Sequence, residues 1–540
     1  MAAQRLPGGT ERLACALALA GVGLLLLVAL GRAVWLPEDW FDAYQCRLAG
    51  RALAGQAPWA EVPVYRSPLF MAVCGLGEAI GPRAGWVAPA LLSVAGYAAL
   101  VGGCGLLALR LGAPGWVAAL LALLAGLDRL AFLYAPFGLP DVAAAGACAL
   151  ALALAARPLG PEERWPGRPL RLGLTIGAAA LCRPNAGLVG LGLALAALPF
   201  PRPRGGEPLR PALGLRGLVA AGAVAAAVYL LASTLLLAYA RGSLLGGLRA
   251  HGELLAFQAA QTAENRLRYG AQAGLLFGLR ALAVASPALL LVALPGLPAA
   301  AREPRPAARA VGAWALLHLA VLELLVGHGE ARYALPALPA LAGLAALFLT
   351  SQAERLGRVA WAPLALTLGL PGAALALGAP YELARLRDPV HRGSFAARVA
   401  STAREMAGPE GRFLYTTTWP YGVFPRVLAE RGAPYPGDPW HGIFHVGPQP
   451  LGYHLRAPVV MLTELGAGLR EPAQLRAFVR AARGFRAGDV LLVGEPRVCA
   501  TWTLAEAPPG PFGVARVIEG PDGLDLEWRW LTPGQPEGTR

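Results

Sequence analysis

Over its first 380 residues the chain alternates long apolar runs with short polar interruptions, and beyond them the pattern changes. The apolar runs predict membrane-spanning helices at residues 13 to 36, 86 to 109, 114 to 133, 141 to 157, 171 to 182, 186 to 200, 215 to 240, 273 to 298, 310 to 327, 334 to 350 and 359 to 379. Several are shorter than the roughly 20 apolar residues that a spanning helix requires. The run from Leu13 to Leu36 is too long for the apolar core of a signal peptide and reads as an uncleaved first helix. In the first polar interruption, Asp42 to Ala54 reads as a short amphipathic helix ending at Gly55, before Pro58 and Pro63 break the chain.

From residue 381 onward the apolar runs shorten to strand length. Phe413 to Thr417, Val459 to Leu462, Val490 to Val493, Val514 to Val517 and Leu524 to Trp530 read as strands. Between them Leu475, Phe478 and Val479 give Glu471 to Arg483 a helical period. The chain thus divides into a polytopic α-helical membrane domain, 1–380, whose first outer loop is 37–66, and a C-terminal α/β or α+β domain, 381–540.

Composition agrees with a membrane protein: 56% of the 540 residues are hydrophobic and only 15% charged, with a mean hydropathy of +0.50. Those values exclude a disordered chain. The net charge of +14 comes from 47 basic residues, all arginine. Most lie in short loops, where they orient the protein in the bilayer, so no nucleic-acid partner is expected. The segment 67 to 82 decides the topology. If it dips into the outer interface, the clusters at Arg110, Arg157 to Arg171, Arg202 to Arg216, Arg302 to Arg309 and Arg355 with Arg358 all face the cytoplasm. A full crossing would turn them all outward. The charge rule therefore favours about eleven spans, with the N-terminus cytoplasmic and the C-terminal domain extracytoplasmic; the expected membrane is a bacterial inner membrane, with that domain periplasmic.

This arrangement gathers polar groups on the outer side: loop 37–66, the turn from Tyr134 to Asp141, the break at Arg183-Pro184-Asn185, the loop 241–272, the turn from His328 to Tyr333 and the tail from Tyr381. Arg47, Arg51, Arg66, Arg183, Arg241, Arg249, Arg266, Arg268 and Arg332 oppose the orientation rule there, which fits either an anionic ligand or lipid headgroups. Ionisable groups at membrane depth point to function, which singles out Asp141, Arg183, His318 and Glu323. Asp42 and Asp141 each stand at a helix start, so capping is the competing role for both. His318 and Glu323 are five apart, poor spacing for a shared face, and read as structural or snorkelling. The i, i+4 pair His441 and His445 has no companion ligand, so no metal site and no cofactor is assigned.

Taken in order, these motifs resemble the GT-C class of membrane glycosyltransferases that use polyprenyl-phosphate sugars, including protein O-mannosyltransferases and lipid A aminoarabinose transferases. The residues carrying the resemblance are Asp42-Ala43-Tyr44, Gly55, Tyr65 and Pro68-Leu69 in the first outer loop, Asp141 after the turn Tyr134 to Pro140, Leu181-Cys182-Arg183-Pro184, and Arg332-Tyr333-Ala334-Leu335-Pro336-Ala337-Leu338-Pro339. The resemblance implies inverting transfer of a sugar from a polyprenyl-phosphate donor to an extracytoplasmic glycan, lipid or protein. It implies Asp42 as catalytic base, Asp141 as a second catalytic carboxylate, and Arg183 and Arg332 on the phosphate. Tyr333, Arg66, Tyr65 and Tyr44 complete the expected substrate contacts. Two other classes remain open: a transporter or lipid flippase, and a non-catalytic membrane protein that keeps the architecture.

Overall fold

The computed structural model describes residues 9–35, 41–56, 67–156, 167–197, 215–252, 255–256, 277–303, 306–323, 331–356, 394–417, 448–457, 459–461, 472–481, 484–494 and 512–531. In chain order its helices are α1 (Gly9–Trp35), α2 (Phe41–Leu53), α3 (Pro68–Ile80), α4 (Pro82–Arg110), α5 (Gly115–Gly126), α6 (Arg129–Tyr134), α7 (Pro140–Ala156), α8 (Gly167–Cys182), α9 (Val189–Ala197), α10 (Leu215–Arg241), α11 (Phe277–Ala285), α12 (Pro287–Ala293), α13 (Gly296–Arg302), α14 (Pro306–Val321), α15 (Leu338–Leu356), α16 (Ser394–Met406), α17 (Pro448–Leu455) and α18 (Pro472–Ala481). The chain forms two compact units, one of Met1–Trp35 with Val64–Gly378 and one of Leu36–Pro63 with Ala379–Arg540.

The first unit is an apolar helical assembly. Among the described residues, four helices are long and apolar enough to cross a membrane, at 15–35, 82–110, 216–241 and 332–352, and the bent pair α5 and α6 makes a fifth if counted as one span. Among the described residues, the expected spans at 141–157, 186–200 and 310–327 overlap the shorter apolar helices Pro140–Ala156, Pro184–Ala197 and Pro306–Val321, that at 273–298 overlaps α11, α12 and the start of α13, that at 171–182 lies within α8, and 359–379 lies outside the described residues. The segment 67 to 82 forms α3, whose 13 residues reach about 20 Å at 1.5 Å per residue, short of the ~30 Å hydrocarbon core.

Small residues set the closest approaches. A side chain at Gly96 of α4 would collide with the backbone of Ala143 on α7, and one at Gly146 with the carbonyl of Gly96, so the two helices touch backbone to backbone. Gly173 and Gly177 let α8 meet Val224 and Val228 of α10 in the same way. This is the packing expected where apolar attraction alone cannot order helices in lipid. The bend of 58° between α5 and α6 is held by buried Asp128. Its Oδ1 accepts the Ala131 amide at 2.7 Å and its Oδ2 accepts the Ser286 hydroxyl at 2.5 Å, which ties this bend to the break between α11 and α12.

The second unit is a five-stranded sheet with helices on both faces. Strands β1 (Phe413–Thr417), β2 (Val459–Met461), β3 (Val490–Gly494), β4 (Phe512–Gly520) and β5 (Gly523–Leu531) lie in the order β2-β1-β3-β4-β5. The pairs β1–β2 and β1–β3 are parallel, and β3–β4 and β4–β5 antiparallel, with Leu414 opposite Leu491 and Leu492 opposite Val514. Alternate residues fill two cores. Tyr415, Val490 and Leu492 meet Phe395 and Val399 of α16 and Leu451 of α17 on one face, while Leu414, Leu491 and Val517 meet Leu475 and Val479 of α18 on the other. Burial on both sides explains why these strands read as continuous apolar runs rather than alternating ones. Asp489 locks the start of β3 to that of β1, accepting the Arg412 amide at 3.0 Å, Arg412 Nη2 at 2.5 Å and the Arg486 amide at 3.0 Å.

Helix α2 belongs to this second unit. It ends as the sequence requires: Gly55 takes a left-handed φ of +72°, its amide bonds the Ala52 carbonyl at 3.1 Å, and the Gln56 amide bonds that of Arg51 at 2.8 Å. That pair of bonds is a Schellman motif, and glycine is the residue that enters it without strain.

Candidate active site

Three charged groups converge in the first unit. Asp141 Oδ1 lies 2.6 Å from Arg183 Nη2 and Asp141 Oδ2 lies 3.7 Å from Arg332 Nη1. The carboxylate is fully buried and Arg332 nearly so at 2% exposed, while Arg183 retains 19%. Tyr333 completes the group: the Arg183 guanidinium stands 4.2 Å from its ring centre and that of Arg332 5.4 Å, distances at which the ring face attracts a cation.

Local sequence places each member. Pro140 and Asp141 open α7, so Asp141 sits inside the first turn rather than at the capping position before it. A carboxylate there interacts favourably with the positive end of the helix dipole. The turn that delivers it rests on α4. Gly138 is left-handed at φ +67° against Pro89, and Ser93 Oγ donates to the Leu139 carbonyl at 3.0 Å. Arg183 precedes Pro184, which forces extended backbone on it. Its φ of −146° and ψ of 123° end α8 and turn its side chain out of the helical path. Ser67 Oγ donates to the Leu181 carbonyl at 2.8 Å, which ties the start of α3 to the end of α8 two residues before Arg183. Arg332 and Tyr333 lie on a 3-10 turn, Ala331–Ala337, that leads into α15.

The structure therefore brings Asp141, Arg183, Arg332 and Tyr333 together. Tyr65 and Arg66 fall outside the described residues, as do His441 and His445. Asp42 is the second residue of α2, and its side chain lies outside the described set.

Tyr44 has a different setting. It is wholly buried within the second unit, its hydroxyl 3.1 Å from His454 Nε2 and its ring edge-on to Tyr453 at 5.7 Å. Arg51 Nη1 donates to the Tyr453 carbonyl at 2.7 Å, and Arg47 lies 5.5 Å from the Tyr44 ring centre. Arg47 and Arg51, expected on the outer face, are thus buried in the seam between α2 and α17. Burial, together with the positive charge of Arg47 and Arg51, pushes the His454 pKa down to about 4.

Two further residues shape the site: His318, which the sequence singles out but which reads as structural, and Trp314, which does not stand out. His318 Nε2 lies 2.9 Å from the Tyr333 carbonyl, and Trp314 Nε1 donates to the Pro336 carbonyl at 2.9 Å. Their signal lies in their partners, because the prolines at 336 and 339 remove amides that the turn would otherwise use.

No family profile and no curated protein matches this chain. Solved structures do. ArnT from Cupriavidus metallidurans bound to undecaprenyl phosphate aligns over 96% of this chain and 98% of its own, with a TM-score of 0.57 and 15% identity. The same protein in its apo state gives 0.53 over 95% and 97%, also at 15% identity. The oligosaccharyltransferase of Archaeoglobus fulgidus, in complex with zinc and sulfate, gives 0.50 at 13% identity over 95% of this chain and 73% of its own. The chain has the fold of these proteins.

Proposed function

We propose that this protein is an integral membrane glycosyltransferase that moves a sugar from a polyprenyl-phosphate donor to an extracytoplasmic acceptor. The observation that carries the proposal is the gathering of two guanidinium groups and a tyrosine face around one buried carboxylate in a largely apolar unit. Charge at such a place is costly to bury and marks a substrate path, and arginine matches the geometry of a phosphate. A shared fold with a protein crystallised on undecaprenyl phosphate supports the same ligand class.

The chemistry needs few parts. An acceptor hydroxyl oxygen attacks the anomeric carbon, and the bond from that carbon to the phosphate oxygen breaks. The electron pair leaves on the lipid phosphate, the hydroxyl proton passes to a carboxylate, and the anomeric configuration inverts. We assign the base to Asp42 and the stabilisation of the leaving phosphate to Arg183, the accessible guanidinium, with Arg332 behind it. Asp141, enclosed by both arginines, orients them. Tyr333 backs Arg183, and Tyr65 and Arg66 supply further donor contacts. Tyr44 we assign to the packing of α2 on α17. The membrane is the bacterial inner membrane and the sheet domain lies outside it.

Transfer of a labelled lipid-linked sugar by membranes carrying the Asp42→Asn variant tests the assignment. Loss of transfer at unchanged expression supports it, and full activity removes Asp42 from catalysis.

A further inference from the structure

The 3-10 turn bearing Arg332 and Tyr333 has a backbone defect written into its sequence. In a 3-10 turn each carbonyl accepts the amide three residues on. For Tyr333 that residue is Pro336, and for Pro336 it is Pro339, neither of which has an N–H. The spacing Tyr-x-x-Pro-x-x-Pro therefore strips two carbonyls, three residues apart, of their turn donors. Both are answered from one helix. His318 Nε2 and Trp314 Nε1 each stand 2.9 Å from those carbonyls, Tyr333 and Pro336 respectively. The two side chains are four residues apart on α14, one above the other, with ring centres 4.9 Å apart, and both residues are fully buried. A carbonyl only accepts, so His318 carries its proton on Nε2, and its Nδ1 has no hydrogen-bond partner among the described residues.

We infer that His318 and Trp314 are positioning residues for the phosphate-binding arginines: they replace the amides missing at Pro336 and Pro339 and so hold the Arg332-Tyr333 backbone in register with Asp141 and Arg183. The structural link is short. The carbonyl that His318 holds belongs to Tyr333, whose ring backs Arg183 at 4.2 Å, and Arg332 is the preceding residue. The inference rests on the proposed function for its consequence in binding, but not for its hydrogen-bond logic.

The test uses the full chain in detergent and four proteins: wild type, His318→Phe, Pro336→Ala and the double variant. The phenylalanine fills the space without a donor, and the alanine returns an amide three residues after Tyr333. Thermal unfolding reads the hydrogen bond without any substrate. His318→Phe lowers the midpoint, and Pro336→Ala restores at least half of that loss in the double variant. Additive effects of the two changes would overturn the inference. Binding of undecaprenyl phosphate reads the positioning: the dissociation constant rises about tenfold in His318→Phe and recovers in the double variant. An unchanged constant in a destabilised His318→Phe would reduce the residue to a fold element and overturn the positioning role. If the wild type itself does not bind undecaprenyl phosphate, the proposed function fails, while the unfolding cycle still decides the hydrogen-bond claim.

Discussion

Asp141 Oδ1 and Arg183 Nη2 stand 2.6 Å apart, joining the first turn of α7 to the residue that ends α8. The contact places a full negative charge against two positive ones inside an apolar helical unit. Pairs of this kind are poor sources of net stability, yet breaking one is expensive because the survivor stays buried and charged. Asp141→Asn is therefore expected to cost about 3 to 5 kcal/mol. Asp141→Leu combined with Arg183→Met and Arg332→Met, which leaves none of the three charges, should recover much of the loss in stability but none of the activity. Thermal unfolding of the detergent-solubilised proteins measures the first effect and a transfer assay the second.

The approach of α4 to α7 is fixed by glycine, and the position of Asp141 depends on it. A side chain at Gly146 meets the Gly96 carbonyl and the Ala99 methyl. Gly146→Val should push the helices apart at a cost of about 1 to 3 kcal/mol or more, as overpacking does. The same change at Gly102 on α4, where nothing lies within 4 Å, should be tolerated. Relative yields of monodisperse protein on size exclusion separate the two.

The seam between α2 and α17 makes the second unit sensitive to acid. His454 has its folded pKa held at about 4, against an ordinary value of 6.5, by burial and by Arg47 and Arg51. The folded state thus prefers the neutral ring, whose Nε2 shares a hydrogen bond with the Tyr44 hydroxyl. Stability from this group is complete above pH 6.5 and is lost as pH falls from there toward 4. By linkage the loss reaches about 2 kcal/mol at pH 5. Unfolding midpoints of wild type and His454→Gln, compared at pH 7.5 and pH 5, should show a larger drop in the wild type. Equal drops would contradict the assignment.

Much of this was legible in the sequence, for identifiable reasons. The strands of the second unit appeared as apolar runs because both faces of the sheet are covered. Helix α2 was readable from Gly55, whose left-handed turn ends it. Helix α16 was not, because half of its core residues are alanines, at 396, 400 and 403, beside Phe395, Val399 and Met406, a face too weakly apolar to announce a helix. At the site, Asp141, Arg183 and Arg332 stood out because charge is rare in apolar sequence. His318 stood out for the same reason but read as structural, and Ser67 and Trp314 did not stand out, because each serves a backbone carbonyl and nothing in residue type marks a carbonyl that needs a donor.

The role of the paired arginines as a phosphate site is best tested by equilibrium binding of undecaprenyl phosphate to the purified full chain. The comparison is between wild type, Arg183→Ala, and Arg476→Ala on the surface of α18 as a control. The expected result is saturable binding by the wild type and the control, weakened at least about tenfold by Arg183→Ala, in keeping with the loss of one charge-assisted hydrogen bond of about 1.5 to 3 kcal/mol. Equal affinity of Arg183→Ala and wild type would contradict the central claim.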